Sequence, residues 1–203
     1  MDHSSSPGMM PGMLLIVSGP SGSGKSTLVG ELLASGEFPI AFSVSATSRA
    51  PRAGEIDGKQ YCFLTRARFE EMRGRGEFLE HAEVHGNLYG TPAEPVRRQL
   101  AQGQWVLLEI DVQGHQQVKR VMPEAVSFFV RTPSAKGYEQ RLKERGTDSP
   151  ETIARRVAHA EQELAQAADY DFQIVNESVP QAVRTMKTLL WGLLYQRGLK
   201  HAR

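Results

Sequence analysis

The sequence contains one cysteine, Cys62, and no apolar run long enough to cross a membrane. A lone cysteine excludes an internal disulfide and any site built from several thiolates, so we expect a reducing compartment and a place for Cys62 in the core. The most apolar stretch, residues 14–17, is far shorter than the roughly 20 residues that a membrane-spanning helix needs. We therefore predict a cytoplasmic protein that does not associate with membranes.

Strong charge of either sign is also missing. The 24 Lys and Arg residues nearly balance the 23 Asp and Glu residues, which leaves a formal charge of +1. Such a balance provides no general attraction for a polyanion, so we expect no nucleic-acid partner, whereas small anions are not excluded. The 203 residues suit one domain, and the sequence leaves open whether the protein is a monomer or a homo-oligomer.

Short apolar runs alternate with longer amphipathic segments, a pattern typical of an α/β fold with a mostly parallel sheet between layers of helices. The runs are continuously apolar, as expected for strands covered on both faces. Strands are predicted at residues 14–18, 106–111, 126–131 and 172–176, with a fifth at 41–44. Helices are predicted at 151–168 and 180–199, and Thr91-Pro92-Ala93-Glu94 predicts a capping box with Pro92 in the first helical position.

The organisation along the chain has four parts. Residues 1–12 have the composition of a disordered tail, and residues 13–203 form the domain. Within it, residues 45–91 are short and aromatic-rich, which indicates an inserted, partly β lobe. Residues 134–156 read as helix, glycine-bearing turn and helix with many arginines, which indicates a lid over a core of residues 13–44, 92–133 and 157–203.

A phosphate-binding loop directly follows the first predicted strand. Its sequence is Gly19-Pro20-Ser21-Gly22-Ser23-Gly24-Lys25-Ser26-Thr27, and a helix follows it. Glycines let backbone N–H groups turn towards phosphate oxygens, Lys25 adds a point charge, and the Ser26 hydroxyl suits Mg²⁺. This segment predicts binding of a nucleoside triphosphate with Mg²⁺, but it does not indicate what receives the phosphate.

Polar residues stand at the carboxyl ends of the other predicted strands, where ligands bind in open parallel sheets. Glu109 and Asp111 end the strand predicted at 106–111 and, two residues apart, point to the same side; Asp111 is a candidate to hold Mg²⁺ through water. For Glu109 a merely solvated strand end is an equal alternative. The remaining strand ends are Arg131 and Asn176.

The segment 77–85 alternates like a strand and places Glu80 on one face with Phe78, Ala82 and Val84. A carboxylate among apolar neighbours is costly unless a hydrogen-bond donor pairs with it, so a ligand or a buried arginine is its expected partner. The opposite face carries His81, Glu83 and His85, for which a metal site and a solvated face are both conceivable.

Two arginines, Arg49 and Arg52, flank a proline turn, and two tyrosines, Tyr61 and Tyr89, follow. Planar guanidinium groups bind a phosphate through bidentate hydrogen bonds, and the tyrosine hydroxyls are further donors. The alternative is a solvated basic loop with the tyrosines in the core.

These segments together resemble the guanylate kinase family over nearly the whole chain beyond the tail. The matching motifs are residues 19–27, 42–55, 58–61, 77–80, 89–91 and 110–114, and the two arginines of 141–146. The resemblance implies a three-layer P-loop NTPase fold and ATP-dependent phosphorylation of GMP, and of dGMP, to the diphosphate. It implies that Arg49, Arg52, Tyr61 and Tyr89 bind the GMP phosphate and that Ser45, Glu80 and Thr91 read the base, with Glu109 on the base or ribose side.

Catalysis by such an enzyme requires cations around the migrating phosphoryl group. The expected cations are Lys25, Arg49 and three arginines of the lid region, namely Arg141, Arg145 and Arg156. Arg131 and Asn176 are expected at the bound ATP.

Three other functions compete with this interpretation. A phosphokinase acting on a ribose bisphosphate has no need of Glu80 with Thr91, and a non-catalytic guanylate kinase-like binding module typically has a degraded phosphate loop. An ATPase acting on nucleic acid requires a basic stripe, which the sequence lacks.

Overall fold

The computed structural model describes residues 12–84, 86–134, 137–138 and 150–201. The predicted tail lies outside these residues except for Gly12, whose carbonyl oxygen accepts a hydrogen bond from Arg197 at 3.2 Å. Most of the predicted lid, including Arg141 and Arg145, also lies outside the described residues.

A five-stranded parallel sheet forms the centre of the protein, in the order β2-β7-β1-β8-β9, with strands numbered along the chain. Its strands are β1 (Met13–Ser18), β2 (Ile40–Phe42), β7 (Trp105–Glu109), β8 (Val126–Arg131) and β9 (Phe172–Val175). The predicted α/β fold with a mostly parallel sheet is confirmed. Strand β7 ends two residues earlier than predicted, because Asp111 caps the following helix by accepting a hydrogen bond from Gly114 N–H at 2.8 Å.

Six α-helices occur in the described part of the chain. They are α1 (Lys25–Ala34), α2 (Arg66–Gly74), α3 (Ala93–Ala101), α4 (Val112–Val121), α5 (Pro150–Leu164) and α6 (Val179–His201). None of the helices described here is long and apolar enough to cross a bilayer.

The core lies on both faces of the central sheet, and alternate residues of β1 face opposite ways. Leu15 and Val17 pack with Leu28 of α1 in one cluster, while Leu14 and Ile16 belong to a second cluster that includes residues of α3 and α4. All six residues of β1 are buried. Burial on both faces explains why this strand reads as a continuous apolar run.

A second sheet of four strands comes from the inserted segment, in the order β4-β3-β6-β5. Its strands are β3 (Ala46–Thr47), β4 (Cys62–Phe63), β5 (Phe78–Val84) and β6 (Asn87–Pro92). Helix α2 packs on this sheet through Phe69, which is buried against Ala46 and Leu88.

The predicted face of β5 was wrong for Phe78. The ladder between β5 and β6 shifts register between Phe78 and Glu80, as a β-bulge does. Phe78 therefore stacks on Phe69 of α2, with ring centroids 4.4 Å apart. Glu80 and Ala82 instead face the cavity described below. Strict alternation cannot represent this extra residue.

The predicted capping box at α3 was also wrong. Thr91 belongs to β6, Pro92 is the cap residue, and no side-chain cap hydrogen bond forms there. The Thr91 hydroxyl instead donates to the Glu80 carboxylate at 2.7 Å, which removes it from helix capping and places it in the functional site.

Candidate active site

A cavity of about 370 Å³ lies where the two sheets meet, beyond the carboxyl ends of β1 and β7. This is where an open parallel sheet binds its ligands. Its lining comes from the phosphate loop, the ends of the strands, the second sheet and helix α5: Gly19, Ser21, Lys25, Ser45, Tyr61, Glu80, Ala82, Val84, Tyr89, Gly90, Glu109, Ile110, Asp111 and Glu163. Most of these residues were predicted from sequence as site residues.

The phosphate loop connects β1 to α1 in conformations that depend on glycine. Gly24 caps α1 with a φ of 88°, and Gly19 has a φ of 140°. A Cβ at Gly19 would lie 2.0 Å from the carbonyl oxygen of Val130, so no other residue fits there. The loop also closes on itself, because Ser23 N–H donates to the Pro20 carbonyl at 3.0 Å.

Lys25 reaches back over this loop, where its ammonium group donates to the carbonyl oxygens of Gly19 and Pro20. Burial lowers the pKa of Lys25, and the nearby carboxylates of Glu109, Glu163 and Asp111 act in the opposite direction. The loop therefore holds a buried cation surrounded by acidic groups, ready for a more strongly anionic partner.

Asn176 lies beneath the same loop rather than on the open side of the cavity. Its side chain is fully buried and donates to the Ser23 carbonyl at 2.8 Å. This contact fastens the end of β9 to the phosphate loop. The expected contact of Asn176 with ATP stays a prediction.

Ser26, one of the two candidate metal ligands, lies beside Glu109 at the mouth of the loop. The Ser26 hydroxyl donates to the Glu109 carboxylate at 2.6 Å, and both Glu109 and Asp111 line the cavity. Hydroxyl and carboxylate oxygens are the donors that Mg²⁺ prefers, so this set fits the ion. Among the described residues no cluster of three or more acidic, histidine or cysteine side chains forms a cage, and Mg²⁺ bound with a nucleotide needs none.

Glu80 is the buried carboxylate of the site, with 6% of its surface exposed. Burial raises its pKa to about 7, and the negative charge of Asp111 adds to this, although the hydroxyl and backbone of Thr91 oppose it. The expected partner was a ligand or a buried arginine; within the protein the donor is instead the hydroxyl of Thr91, on the neighbouring strand, and the ligand stays a prediction. The Glu80 carboxylate also lines the cavity, where a ligand can reach it.

The two predicted phosphate-binding arginines are arranged around a third residue, Glu55. Arg49 donates to Glu55 through both terminal nitrogens at 2.9 Å, and Arg52 donates to it through its backbone N–H. The Arg49 hydrogen bonds are the main cause that holds the pKa of Glu55 down at about 2. Tyr61 lies beneath the Arg49 guanidinium and edge-on to Tyr89, so one arginine and both tyrosines come together as predicted.

The remaining predicted site residues lie at the edges of this arrangement. Arg156 of α5 approaches the Ser21 hydroxyl at 3.5 Å, which brings one lid-region arginine to the phosphate loop. Arg131 donates to Gln173 at 3.3 Å on the neighbouring strand. Their roles, and those of Arg141 and Arg145, stay predictions.

The outer face of β5 offers no sign of a second site. Glu83 pairs with Arg66 at 3.4 Å, the His81 backbone bonds Gln117, and His85 lies outside the described residues. For the described residues of this face, a solvated surface is the interpretation that the contacts support.

Sequence reasoning missed two acidic residues of the site. Glu163 lines the cavity opposite Lys25, and Glu55 binds Arg49. Glu163 could have been found, because it follows the buried residues Ile153 and Ala160 on the same face of α5. Glu55 carried no comparable signal, since its contact depends on how the 49–55 loop turns.

The family model described as guanylate kinase matches residues 12–193. The chain belongs to the guanylate kinase family. A guanylate kinase of Synechocystis sp. is 48% identical over 179 residues, which are 88% of this chain and 93% of that protein. A guanylate kinase of Carboxydothermus hydrogenoformans is 46% identical over 182 residues, 90% of this chain and 89% of its own.

A solved guanylate kinase has the same fold. The crystal structure of guanylate kinase from Anaplasma phagocytophilum matches with a TM-score of 0.73 and 33% identity, covering 90% of this chain and 86% of that one. Membership of the guanylate kinase family, which the motifs predicted, is thereby confirmed.

The raised pKa of Glu80 predicts a pH-dependent stability in the ligand-free guanylate kinase fold. Because the folded protein retains a proton on Glu80 up to about pH 7, while an unfolded glutamate loses it near 4.5, this stabilisation is complete below pH 4.5 and lost as the pH rises through 7. Between pH 5 and 8, we expect the free energy of unfolding to fall by roughly 2–3 kcal/mol more in the wild type than in Glu80→Gln. Urea denaturation of both proteins at pH 5 and pH 8 measures these free energies of unfolding. If the free energy changes equally with pH in the wild type and in Glu80→Gln, Glu80 ionises normally.

Proposed function

We infer that the protein transfers the γ-phosphoryl group of ATP to GMP, and to dGMP, giving ADP and the corresponding diphosphate. One observation carries the inference: a single cavity has a complete phosphate loop at one end and a buried, hydroxyl-paired carboxylate at the other. The first feature suits a nucleoside triphosphate, and the second suits a ligand with N–H donors.

At the donor end, the backbone N–H groups of the loop and the N-terminus of α1 hold the triphosphate. Lys25 then exchanges its bonds to the loop carbonyls for the β- and γ-phosphate oxygens. Asn176 fixes the loop from below, so the phosphate-binding groups are in place before ATP arrives.

At the acceptor end, the Glu80 carboxylate accepts hydrogen bonds from guanine N1–H and the 2-amino group, and the Thr91 hydroxyl orients it. Adenine presents an unprotonated nitrogen at the same place, so two hydrogen-bond acceptors would face each other in a buried site. Such mismatches are how sites reach discrimination of about 10⁴ or more. Ser45 and Glu109, beside this pocket, complete the base and ribose side.

At the phosphate of GMP, Arg49, Arg52, Tyr61 and Tyr89 supply donors. When GMP binds, Arg49 has to donate to the phosphate as well as to Glu55, or in place of Glu55. Before GMP binds, the ion pair with Glu55 holds the guanidinium in position. Arg52 donates to the same Glu55 through its backbone N–H, while its guanidinium acts on that carboxylate by charge and can turn to the phosphate.

The reaction itself needs alignment and charge neutralisation. An oxygen of the GMP phosphate forms a bond to the γ-phosphorus while the bond from that phosphorus to the β,γ-bridging oxygen breaks. Lys25 and the arginines neutralise the charge that spreads over the migrating group. We propose that Arg141 and Arg145 join Arg156 in this role and that Arg131 assists at the triphosphate.

We propose Mg²⁺ as the metal ion, bound by the Ser26 hydroxyl and reached through water by Asp111. When bound, the ion neutralises the β- and γ-phosphate oxygens. The oxygen donors of this part of the site support the proposal, because the Ser26 hydroxyl lies beside the Glu109 carboxylate and the Asp111 carboxylate lines the same cavity. A cytoplasmic location is also proposed, on the strength of the lone cysteine.

A coupled assay of ADP formation tests the function. With ATP and Mg²⁺ present, GMP and dGMP should be phosphorylated, whereas AMP, CMP, UMP and a ribose bisphosphate should react at least about 10²-fold more slowly in kcat/KM. Chelation of the metal with EDTA should stop turnover, and Mg²⁺ should restore it. Preference for the ribose bisphosphate, or binding of GMP without turnover, would contradict the assignment and favour one of the two alternatives.

A further inference from the structure

Gly114 lies in the first turn of α4, where glycine is not required by the backbone. Its φ is not positive, and glycine is among the least favourable residues in a helix. The space around it is what excludes a side chain. A Cβ at this position would lie 2.8 Å from Oε2 of Glu80, 3.2 Å from its Cδ and 3.3 Å from its Cγ.

Two other helical glycines in the described residues have open space around them. A Cβ at Gly30 in α1 or Gly192 in α6 would meet no atom within 4 Å. At Gly114, by contrast, the three nearest atoms to such a Cβ all belong to the Glu80 side chain.

A second contact between α4 and β5 fixes the strand at the same level. Gln117 follows Gly114 by three residues and lies on the same side of the helix. Its amide nitrogen donates to the His81 carbonyl at 2.9 Å, and its amide oxygen accepts from His81 N–H at 3.1 Å. The backbone immediately after Glu80 is thereby held by two hydrogen bonds.

The helix is in turn fixed relative to the end of β7. Asp111 accepts a hydrogen bond from Gly114 N–H at 2.8 Å. Any residue at 114 except proline retains this N–H group, so the cap persists when a side chain is added. The space used by the Glu80 carboxylate is then the feature that an alanine at 114 changes.

We propose that Gly114 is a positioning residue for base selectivity, because its missing side chain leaves the space in which the Glu80 carboxylate lies while Gln117 holds the backbone beside it. The inference rests on the proposed function, in which Glu80 reads guanine. The Glu80 carboxylate packs against helix α4 at Gly114. The absence of a side chain at position 114 therefore determines how far the carboxylate projects into the cavity.

The expected effect follows from which atom has to move. A Cβ 2.8 Å from Oε2 displaces the end of a flexible side chain rather than the backbone, so the fold is retained while the carboxylate moves by a few tenths of an ångström or more. Misplacement of a recognition group by about 1 Å can reduce a rate about 10²-fold. The loss should fall on guanine alone, because adenine makes no productive contact with Glu80.

The test compares Gly114→Ala with Gly192→Ala, a helical glycine with open space around it. For Gly114→Ala we expect the ratio of kcat/KM for GMP to that for AMP to fall at least about 10-fold. The loss should come mainly from a higher KM for GMP, with the KM for ATP and the AMP reaction unchanged. Gly192→Ala should keep the wild-type ratio. An unchanged ratio in Gly114→Ala, or a fall in melting temperature of more than about 10 °C, would overturn the proposal, the latter because the backbone rather than Glu80 would then have yielded.

A double-mutant cycle shows whether the effect passes through Glu80. Adding Gly114→Ala to Glu80→Ala should leave the already lowered ratio unchanged, since no side chain remains at position 80 to be misplaced. A further loss of the same size would mean that Gly114 acts by another route and would overturn the proposal. Failure of the proposed function is recognised separately, because the wild type itself would then show no preference for GMP.

Discussion

Lys25→Met should lower kcat by about 10²–10³-fold, the effect of removing one preorganised group that stabilises developing charge. Lys25 is buried within the phosphate loop, where its ammonium group donates to the carbonyl oxygens of Gly19 and Pro20, two residues of the same loop. Burial disfavours this ammonium group, whereas the carboxylates of Glu109, Glu163 and Asp111 favour it, so its replacement by an apolar side chain should cost only modest stability. Initial rates at saturating ATP and GMP, together with the melting temperature, measure both effects.

The KM for GMP should change little in this variant, because Lys25 lies at the donor end of the cavity. Lys187→Met is the matched control: Lys187 is on α6 and pairs with Glu37 away from the cavity, a surface ion pair of about 0–1 kcal/mol. Near-normal turnover in folded Lys25→Met would remove Lys25 from the chemistry, whereas a loss in Lys187→Met as well would indicate a general effect of the substitution.

The phosphate loop could be predicted almost completely because its function depends on residues that are contiguous. The spacing of Gly24, Lys25 and Ser26 after a buried strand determines the turn, the helix start and the positions of the donors together. The structure adds only what lies beneath the loop, where Asn176 arrives from the far end of the chain. No local pattern could have paired Asn176 with Ser23.

The acceptor pocket was predicted less completely because it is assembled across strands. Glu80 was identified by its chemistry, but its partner Thr91 was assigned to a helix cap, since S/T-x-x-E is a cap signature when only local sequence is considered. The register of β5 and β6 decides between the two roles, and that register contains a bulge. Gly114 illustrates the same limit, because the reason for its glycine is a side chain 34 positions earlier in the chain.

Glu80→Gln should lower the ratio of kcat/KM for GMP to that for AMP by at least about 10². The carboxylate can accept two hydrogen bonds from the guanine edge, whereas an amide offers one acceptor and turns an N–H group towards a donor. The same N–H group suits the acceptor nitrogen of adenine, so both terms of the ratio move. Glu83→Gln is the matched control, because Glu83 lies on the same strand but faces solvent beside Arg66.

The pH dependence of the KM for GMP shows whether the effect of Glu80→Gln comes from loss of the carboxylate's negative charge. In the wild type, the pKa of about 7 means that Glu80 must release a proton before it can accept both guanine hydrogens, so the KM for GMP should fall as the pH rises from 6 to 8. The GMP phosphate also ionises, with a pKa near 6, but it does so equally with either enzyme. The difference between wild type and Glu80→Gln therefore isolates the carboxylate. If the two enzymes show the same KM profile and the same ratio for the two purines, Glu80 does not read the base.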